Sequence, residues 1–359
     1  MKKLVALAMS LTMAFSLVAC GNSDASANAG TDTTATSAAA ATTTEAAQQT
    51  APAEKQDVTL RIWGAEEDQT MLQGMIDSFK EHYADYANFD IQLGTESEST
   101  AKDTVLADIE AAADVYSFAS DQLIDLVNAG ALQSVDEMDA ALEAYAGKSV
   151  ADVKSANASG SVDAATKDGT LYAFPMSADN GYFLYYNSAL VTPEDAQSWD
   201  TLLAAADKAG KKVGMTLASG WYNASFFYGA GFTTALNDDG STAMDWNGTS
   251  ADGVTGVQVV QAMLGIAGNS AFLPIADGDV SNQIASGDLC AVVSGTWDAT
   301  AAQTAFGDGY AATKLPTYTC GDKQIQQGSV AGFKLVGVNK YSANAGWATL
   351  LADWITNED

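Results

Sequence analysis

The chain has 359 residues, 47% of them apolar, which is more than one hydrophobic core usually holds. Its formal net charge of −29 lacks the basic footprint that nucleic acid or an anionic lipid surface requires, so neither is an expected partner. One histidine (His82, expected at the surface) and three scattered cysteines (Cys20, Cys290 and Cys320) argue against a histidine triad, a His-ligated zinc site or a cysteine metal cluster. No metal and no cofactor is expected.

Lys2-Lys3 followed by an apolar run from Leu4 to Ala19 has the order of a secretory signal. The run is short for a membrane span, which needs about 20 apolar residues. It ends Leu17-Val-Ala-Cys20-Gly21, which resembles the lipobox of bacterial lipoproteins. That resemblance implies a signal peptide over 1–20 and lipid modification at Cys20. Residues 21–56 are mostly Ala, Thr, Ser, Gly, Asn and Gln and cannot bury enough surface to offset chain entropy. They read as a disordered tether with a reach of roughly 30–35 Å.

Val58 to Trp63 alternates and reads as a strand, and Gly64 to Asp68 as a turn into a helix. Met71, Leu72, Met75, Ile76, Phe79 and Tyr83 then recur at helical spacing. Phe89–Leu93 is a strand, Thr104–Ala113 a helix, Asp114–Phe118 a strand, and Gln122–Ala129 a helix closed by Gly130. Strand–helix alternation predicts an α/β layer with a largely parallel sheet, whose ligands lie beyond the carboxyl ends of its strands. Further on, Ser198-Trp199 starts a helix, Val213–Leu217 is a strand, and an aromatic helix follows through Phe226, Phe227 and Tyr228. Asn237–Gly240 reads as a hairpin tip; its carboxylate spacing does not suit calcium. Val254–Ile266 and Val280–Ser286 are helices, Cys290–Ser294, Tyr310–Leu315 and Val330–Val338 strands. The last helix carries Trp347, Leu350, Leu351, Trp354 and Ile355 as a stripe.

The stretch Asp168–Asn187 joins two aromatic, strand-forming runs through a polar break, Ser177-Ala-Asp-Asn-Gly181. With an α/β core on each side, the break reads as a crossing between two cores rather than a hairpin within one.

Several segments resemble, in order, the extracellular solute-binding lipoproteins of bacterial ABC sugar importers, the group that includes the maltose-binding protein. They are Leu60–Trp63, Asp114–Phe118 with Leu126–Leu132, Asp168–Pro175 with Leu184–Asn187, Ser198-Trp199, Ser286–Trp297, Leu315-Pro316, Ala331–Phe333 and Val336–Asn339. The resemblance implies a two-lobed periplasmic-binding-protein-like α/β fold with hinge crossings and an interlobe cleft. Residues 57–177 with 334–359 would form the first lobe and 178–333 the second. Val330–Lys334 would be the return crossing. Members of the group usually continue past the helix that ends near Asp359, so a C-terminal segment would be missing here.

A sugar offers an apolar C–H face to aromatic rings and hydroxyls to carboxylates and amides. Matching the family pattern nominates Trp63, Glu66 and Glu67 after the first strand, and Asp121 and Gln122 after a later one. It adds Asp179, Asn180 and Tyr182 at the crossing, and Trp221, Tyr222 and Trp297 in the second lobe. Trp199, Trp246, Trp347 and Trp354 are assigned to the core. Cys290 and Cys320 lie on strands expected to be neighbours, so a disulfide is expected, with two buried free thiols as the alternative. The implied function is capture of an oligosaccharide, maltose or a malto-oligosaccharide first, and its delivery to ABC permease subunits. The implied protein is a monomer, held to the outer face of a Gram-positive cytoplasmic membrane by lipid on Cys20 only, and not an enzyme. The alternatives are a same-fold receptor for a polyamine and a secreted glycosidase with two carboxylates about 5–10 Å apart.

Overall fold

A computed structural model describes residues 52, 54–237 and 241–357. The signal, Cys20 and nearly all of the tether lie outside the described residues.

The first core is built on β1 (Gln56–Gly64), α1 (Gln69–His82), β2 (Ala87–Thr95), α2 (Ala101–Ala107), β3 (Val115–Ala119) and α3 (Leu123–Asn128). Alternation in β1 buries Val58, Leu60 and Ile62 and leaves Asp57, Thr59 and Arg61 outside. The stripe of α1 buries Leu72, Ile76 and Phe79 on that sheet, and Gly130 beyond α3 takes φ +70°. The expected helix Thr104–Ala113 ends at Ala107. Beyond it Arg61 donates to the carbonyls of Ala111 (2.8 Å) and Ala112 (2.6 Å), and Asp108 accepts from the Ala111 N–H. Those backbone groups are held in turns by side chains, so the helix stops.

Residues 131–165 had no sequence assignment and hold short helical pieces: α4 (Asp139–Ala141) running into a π turn (Leu142–Ala146), α5 (Val150–Ala156) and α6 (Ser159–Ala164). Ser149 and Asp152 form a reciprocal capping box on α5. The hairpin β4 (Thr166–Lys167) to β5 (Thr170–Leu171) turns through Asp168 and Gly169, both at positive φ (52° and 82°). This is the two-residue turn that suits the twist of a hairpin. β6 (Ala173–Ser177) completes the outward path.

The chain then enters the second core with β7 (Tyr182–Asn187), α7 (Trp199–Ala209), β8 (Lys212–Met215) and α8 (Gly220–Gly229). It continues through β9 (Thr234–Leu236), β10 (Thr242–Met244), α9 (Gly256–Ala267), β11 (Phe272–Pro274), α10 (Val280–Ala285) and β12 (Leu289–Gly295). α11 (Ala299–Phe306), β13 (Tyr310–Thr313), β14 (Thr317–Cys320) and β15 (Lys323–Gln326) follow. Ser198 caps α7 through the Thr201 N–H, and Gly210 ends it at φ +61°. β9 and β10 pair antiparallel around the expected hairpin tip, of which residues 238–240 lie outside the described set. The chain returns to the first core with β16 (Lys334–Val338) and α12 (Ala345–Ile355).

Among the described residues two five-stranded sheets result, ordered β2-β1-β3-β16-β6 and β11-β8-β12-β7-β13. In the first, β16 alone runs against its neighbours; in the second, β7 alone does. These are the two strands that enter a sheet from the other lobe. Each comes in at the edge where the parallel strands end, so it has to run antiparallel to them. The expected return strand Val330–Val338 begins only at Lys334; before it Phe333 bonds to Ser120 beyond the end of β3, and Ser329 bonds to the Tyr182 carbonyl at the start of β7. Of the four tryptophans assigned to the core, Trp199 (1% exposed) and Trp347 (8%) are buried. Trp246 and Trp354 are half-buried, and Trp246 stacks on Phe227 with ring centres 4.2 Å apart. His82 is exposed, as expected.

Candidate functional site

The edges at which the parallel strands end face the crossings in both lobes. In the first lobe β1 runs out at Gly64 into a tight turn, Glu66–Asp68, and β3 at Ala119 into another, Ser120–Gln122. Lys334, the first residue of β16, pairs with Ala119 of β3 and Ser177 of β6 at this edge. In the second lobe β8 ends before α8, which opens Gly220-Trp221-Tyr222. β12 ends at Gly295, beside Tyr182 of β7, and turns through Thr296-Trp297-Asp298.

The two crossings run side by side. Ser329 Oγ donates to the Tyr182 carbonyl (2.6 Å), and the Ser120 N–H donates to the Phe333 carbonyl (2.9 Å). Gly181 is required by close approach: a Cβ there would lie 2.8 Å from the Val330 carbonyl oxygen. At Gly295 it would meet the Trp297 ring and the Gly181 carbonyl.

The residues nominated from sequence fall into three groups. Asp179, Asn180, Trp221 and Trp297 gather at the crossings. Asp179 Oδ2 accepts from Thr296 Oγ1, which ties the outward crossing to the turn after β12 (2.7 Å), and its other oxygen accepts from Ser177. Its partial burial works against ionisation, but these two hydrogen bonds and the Lys334 charge hold its carboxyl below the usual range. Asn180 and the Trp221 ring both crowd Gly332 on the return crossing. The Trp297 ring lies over the Lys334 ammonium, 5.8 Å from ring centre to Nζ.

Glu66, Glu67 and Asp121 form a second group, exposed on the first-lobe turns. Partial desolvation raises the Glu67 carboxyl, with Glu98 adding to the rise and a backbone hydrogen bond and Lys334 opposing it. Asp121 is also raised, by partial desolvation first.

The third group is turned inward. Trp63 is half-buried and lays its ring over Gly94 of the neighbouring strand. Gln122 is 6% exposed, accepts from the Lys102 N–H and donates to the carbonyls of Glu98 (2.7 Å) and Ser99 (3.0 Å). It fixes the 98–102 loop with its own amide. Tyr182 is 2% exposed and donates to the Trp221 carbonyl (2.8 Å), anchoring the start of α8. Tyr222 is 6% exposed with its ring 4.8 Å from that of Tyr182.

Sequence reading missed Glu98, Lys334 and Thr296. Glu98 (6% exposed) accepts from Ser117 Oγ (3.2 Å) and stands 3.9 Å from Lys334 Nζ. It sits in a loop without a motif. Lys334 had a signal: a lysine opening the otherwise apolar strand Lys334-Leu-Val-Gly-Val338, buried along its whole length. A groove of about 530 Å³ lies elsewhere, between α7, α9 and the β14–β15 hairpin, lined by Asp200, Gln258 and Gln261 among others. None of its lining residues belongs to the crossings.

The expected disulfide is not formed. Cys290 and Cys320 are free and buried. Cys290 is in the five-stranded sheet and Cys320 in the separate β14–β15 hairpin, so their strands are not neighbours. Cys290 turns its thiol to the Lys212 carbonyl (3.5 Å), and burial pushes that thiol up to about 11.

Comparison with known proteins gives the fold a lineage. None of the curated proteins matches the sequence. A protein solved with acarbose is 28% identical, with a TM-score of 0.68 over 84% of this chain and 76% of that one. The maltodextrin-binding protein of L. casei, solved without ligand, is 23% identical (TM-score 0.61; 84% and 75%). The Thermus thermophilus maltotriose-binding protein is 18% identical (TM-score 0.63; 83% and 77%). The last two show likeness of fold alone. The model of the bacterial extracellular solute-binding proteins matches residues 74–359. With its two α/β lobes and paired crossings, the chain belongs to the bacterial extracellular solute-binding protein family.

Proposed function

We propose that this protein is the sugar-capturing subunit of an ABC importer, taking an oligosaccharide of the malto-oligosaccharide class between its lobes and handing it to the permease. The observation that carries the reading is the pairing at the crossings. Trp297, from the second lobe, faces Lys334 of the first, which stands 3.9 Å from Glu98; Trp221 packs beside Gly332 of the return crossing, and Asp179 lies on the outward one. Rings suit the C–H faces of a pyranose and the polar groups suit its hydroxyls. The structural neighbours named above, one solved with acarbose and two named as maltodextrin- and maltotriose-binding proteins, support the same class. The contacting set is Trp297, Trp221, Asp179 and Asn180, with Glu66, Glu67 and Asp121 on the rim. Trp63, Gln122, Tyr182 and Tyr222 support it from behind. Closure is a hinge motion about 178–181 and 329–333, with the sugar binding the closed state better than the open one. On this reading the N-terminal signal exports the protein, a lipid on Cys20 holds it at the outer face of the cytoplasmic membrane, and it acts as a monomer.

A thermal-shift and calorimetry panel tests this. Malto-oligosaccharides are expected to raise Tm and to be recovered intact. Stabilisation by spermidine and by no glycan would sink the sugar reading. Release of shorter glycans would make the protein a hydrolase.

A further inference from the structure

We propose that Lys334 is a ligand-contacting residue of the cleft, donating hydrogen bonds to a sugar hydroxyl oxygen from the edge of the first sheet; the proposal rests on the oligosaccharide reading above. Lys334 is 7% exposed. Its stem is inside β16, whose five residues are all buried. An ammonium carries three donors and is costly to bury without partners. Among the described residues, Nζ donates no hydrogen bond within 3.5 Å. The nearest carboxylate oxygen, on Glu98, is 3.9 Å away, and that carboxylate already accepts from Ser117. The other neighbour is the face of Trp297, which attracts a cation but takes no conventional hydrogen bond.

The surroundings define what would complete the site. Lys334 is close enough to act on the carboxyls of Glu67 and Asp179. Among the described residues Glu98 is the one carboxylate within 4 Å of that ammonium, and Glu67 and Asp179 feel its charge from further off, so acidic groups outnumber the single cation here. The excess of negative charge disfavours a carboxylate or phosphate ligand. A neutral hydroxyl fits instead, since its oxygen accepts from Lys334 while its proton goes to a carboxylate. Trp297 places an aromatic face beside the same ammonium. One pyranose lying on Trp297 would therefore meet Lys334 at its rim. A lysine here reads the position of a hydroxyl and contributes to which sugar is taken.

Calorimetry on the full chain tests the proposal with maltotriose and its monodeoxy analogues. Lys334→Met keeps the stem and removes the donors; it is expected to weaken maltotriose binding about tenfold to hundredfold, as for a hydrogen bond from a charged group. One monodeoxy analogue should show the same loss with the wild type and no added loss with the variant. Lys334→Gln serves as the second variant if Lys334→Met fails to fold, and circular dichroism and Tm are read for both. Unchanged or tighter binding by the folded variant overturns the role of Lys334 and leaves the sugar reading intact. So does an equal penalty for every deoxy analogue in wild type and variant. A wild type that binds no glycan fails the sugar reading itself, and this proposal falls with it.

Discussion

The first lobe meets the crossings with charge, through Glu67, Glu98 and Lys334. The second meets them with rings, through Trp221 and Trp297, tied by Thr296 to Asp179 on the link between the lobes. Both edges are built the same way, from strand ends followed by tight turns or a helix start. Their chemistry differs because the turns differ: Gly64-Ala-Glu-Glu on one side, Gly-Thr-Trp and Gly-Trp-Tyr on the other. A sugar has two kinds of surface, and one lobe suits each. On the proposed reading the rings come from the second lobe and the Lys334–Glu98 pair from the first, which gives closure a reason to depend on ligand.

If the aromatic lobe supplies most of the affinity, Trp297→Ala should show the largest effect. A loss of about 2 kcal/mol, or some thirtyfold in Kd, is expected by calorimetry with the fold intact. Equal affinity would remove the ring face from the comparison. Gly181→Ala acts on the link rather than on either lobe. Its Cβ meets a backbone oxygen, so a stability loss of about 1–3 kcal/mol in urea unfolding is expected. A fully stable variant would show that the crossings are free to separate. Asp179→Ala removes the bridge to Thr296 and should weaken glycan binding several-fold while shifting Tm little. The reverse pattern would make Asp179 a structural residue. Tyr182→Phe strips one hydrogen bond from the start of α8 and should cost about 1 kcal/mol of stability.

The smallest effect concerns pH. The Asp179 carboxyl is held below its ordinary value, so its contribution is complete above about pH 4. It is lost as pH falls through the lowered value. Asp179→Asn should flatten that part of the stability-versus-pH curve, and an unchanged slope would assign the effect elsewhere. Cys290, with its thiol pushed up to about 11, and buried Cys320 should both resist thiol reagents at neutral pH in the native state. Unfolding should expose both, as read by mass spectrometry of labelled peptides.

Much of the fold was legible in the sequence because its signals are local. β1 alternates, α1 carries an unbroken stripe, and Ser198-Trp199 opens α7. The short helices between residues 131 and 165 carried no such pattern, and the helix expected to Ala113 was cut short by Arg61, which lies far off in sequence. Site residues divide the same way. Trp297 and Trp221 were nominated because they match the family pattern in the turns that follow strands. Gln122 and Tyr182 have the right chemistry and the right position, but their polar atoms are spent on nearby backbone. Side-chain direction decided that, and composition does not encode it.

The polar break at Ser177–Gly181 shows where each kind of information stops. Its residues alone determined that two strands end and begin there, since a Ser-Ala-Asp-Asn-Gly run offers no apolar face to bury. That the strands belong to different sheets was decided by tertiary structure, because β6 and β7 find partners more than a hundred residues away, in β16 and β12. The same long-range pairing brought Lys334 beside Glu98 and Trp297. Strand register sets which side chains share an edge, and register is a property of two chain segments together.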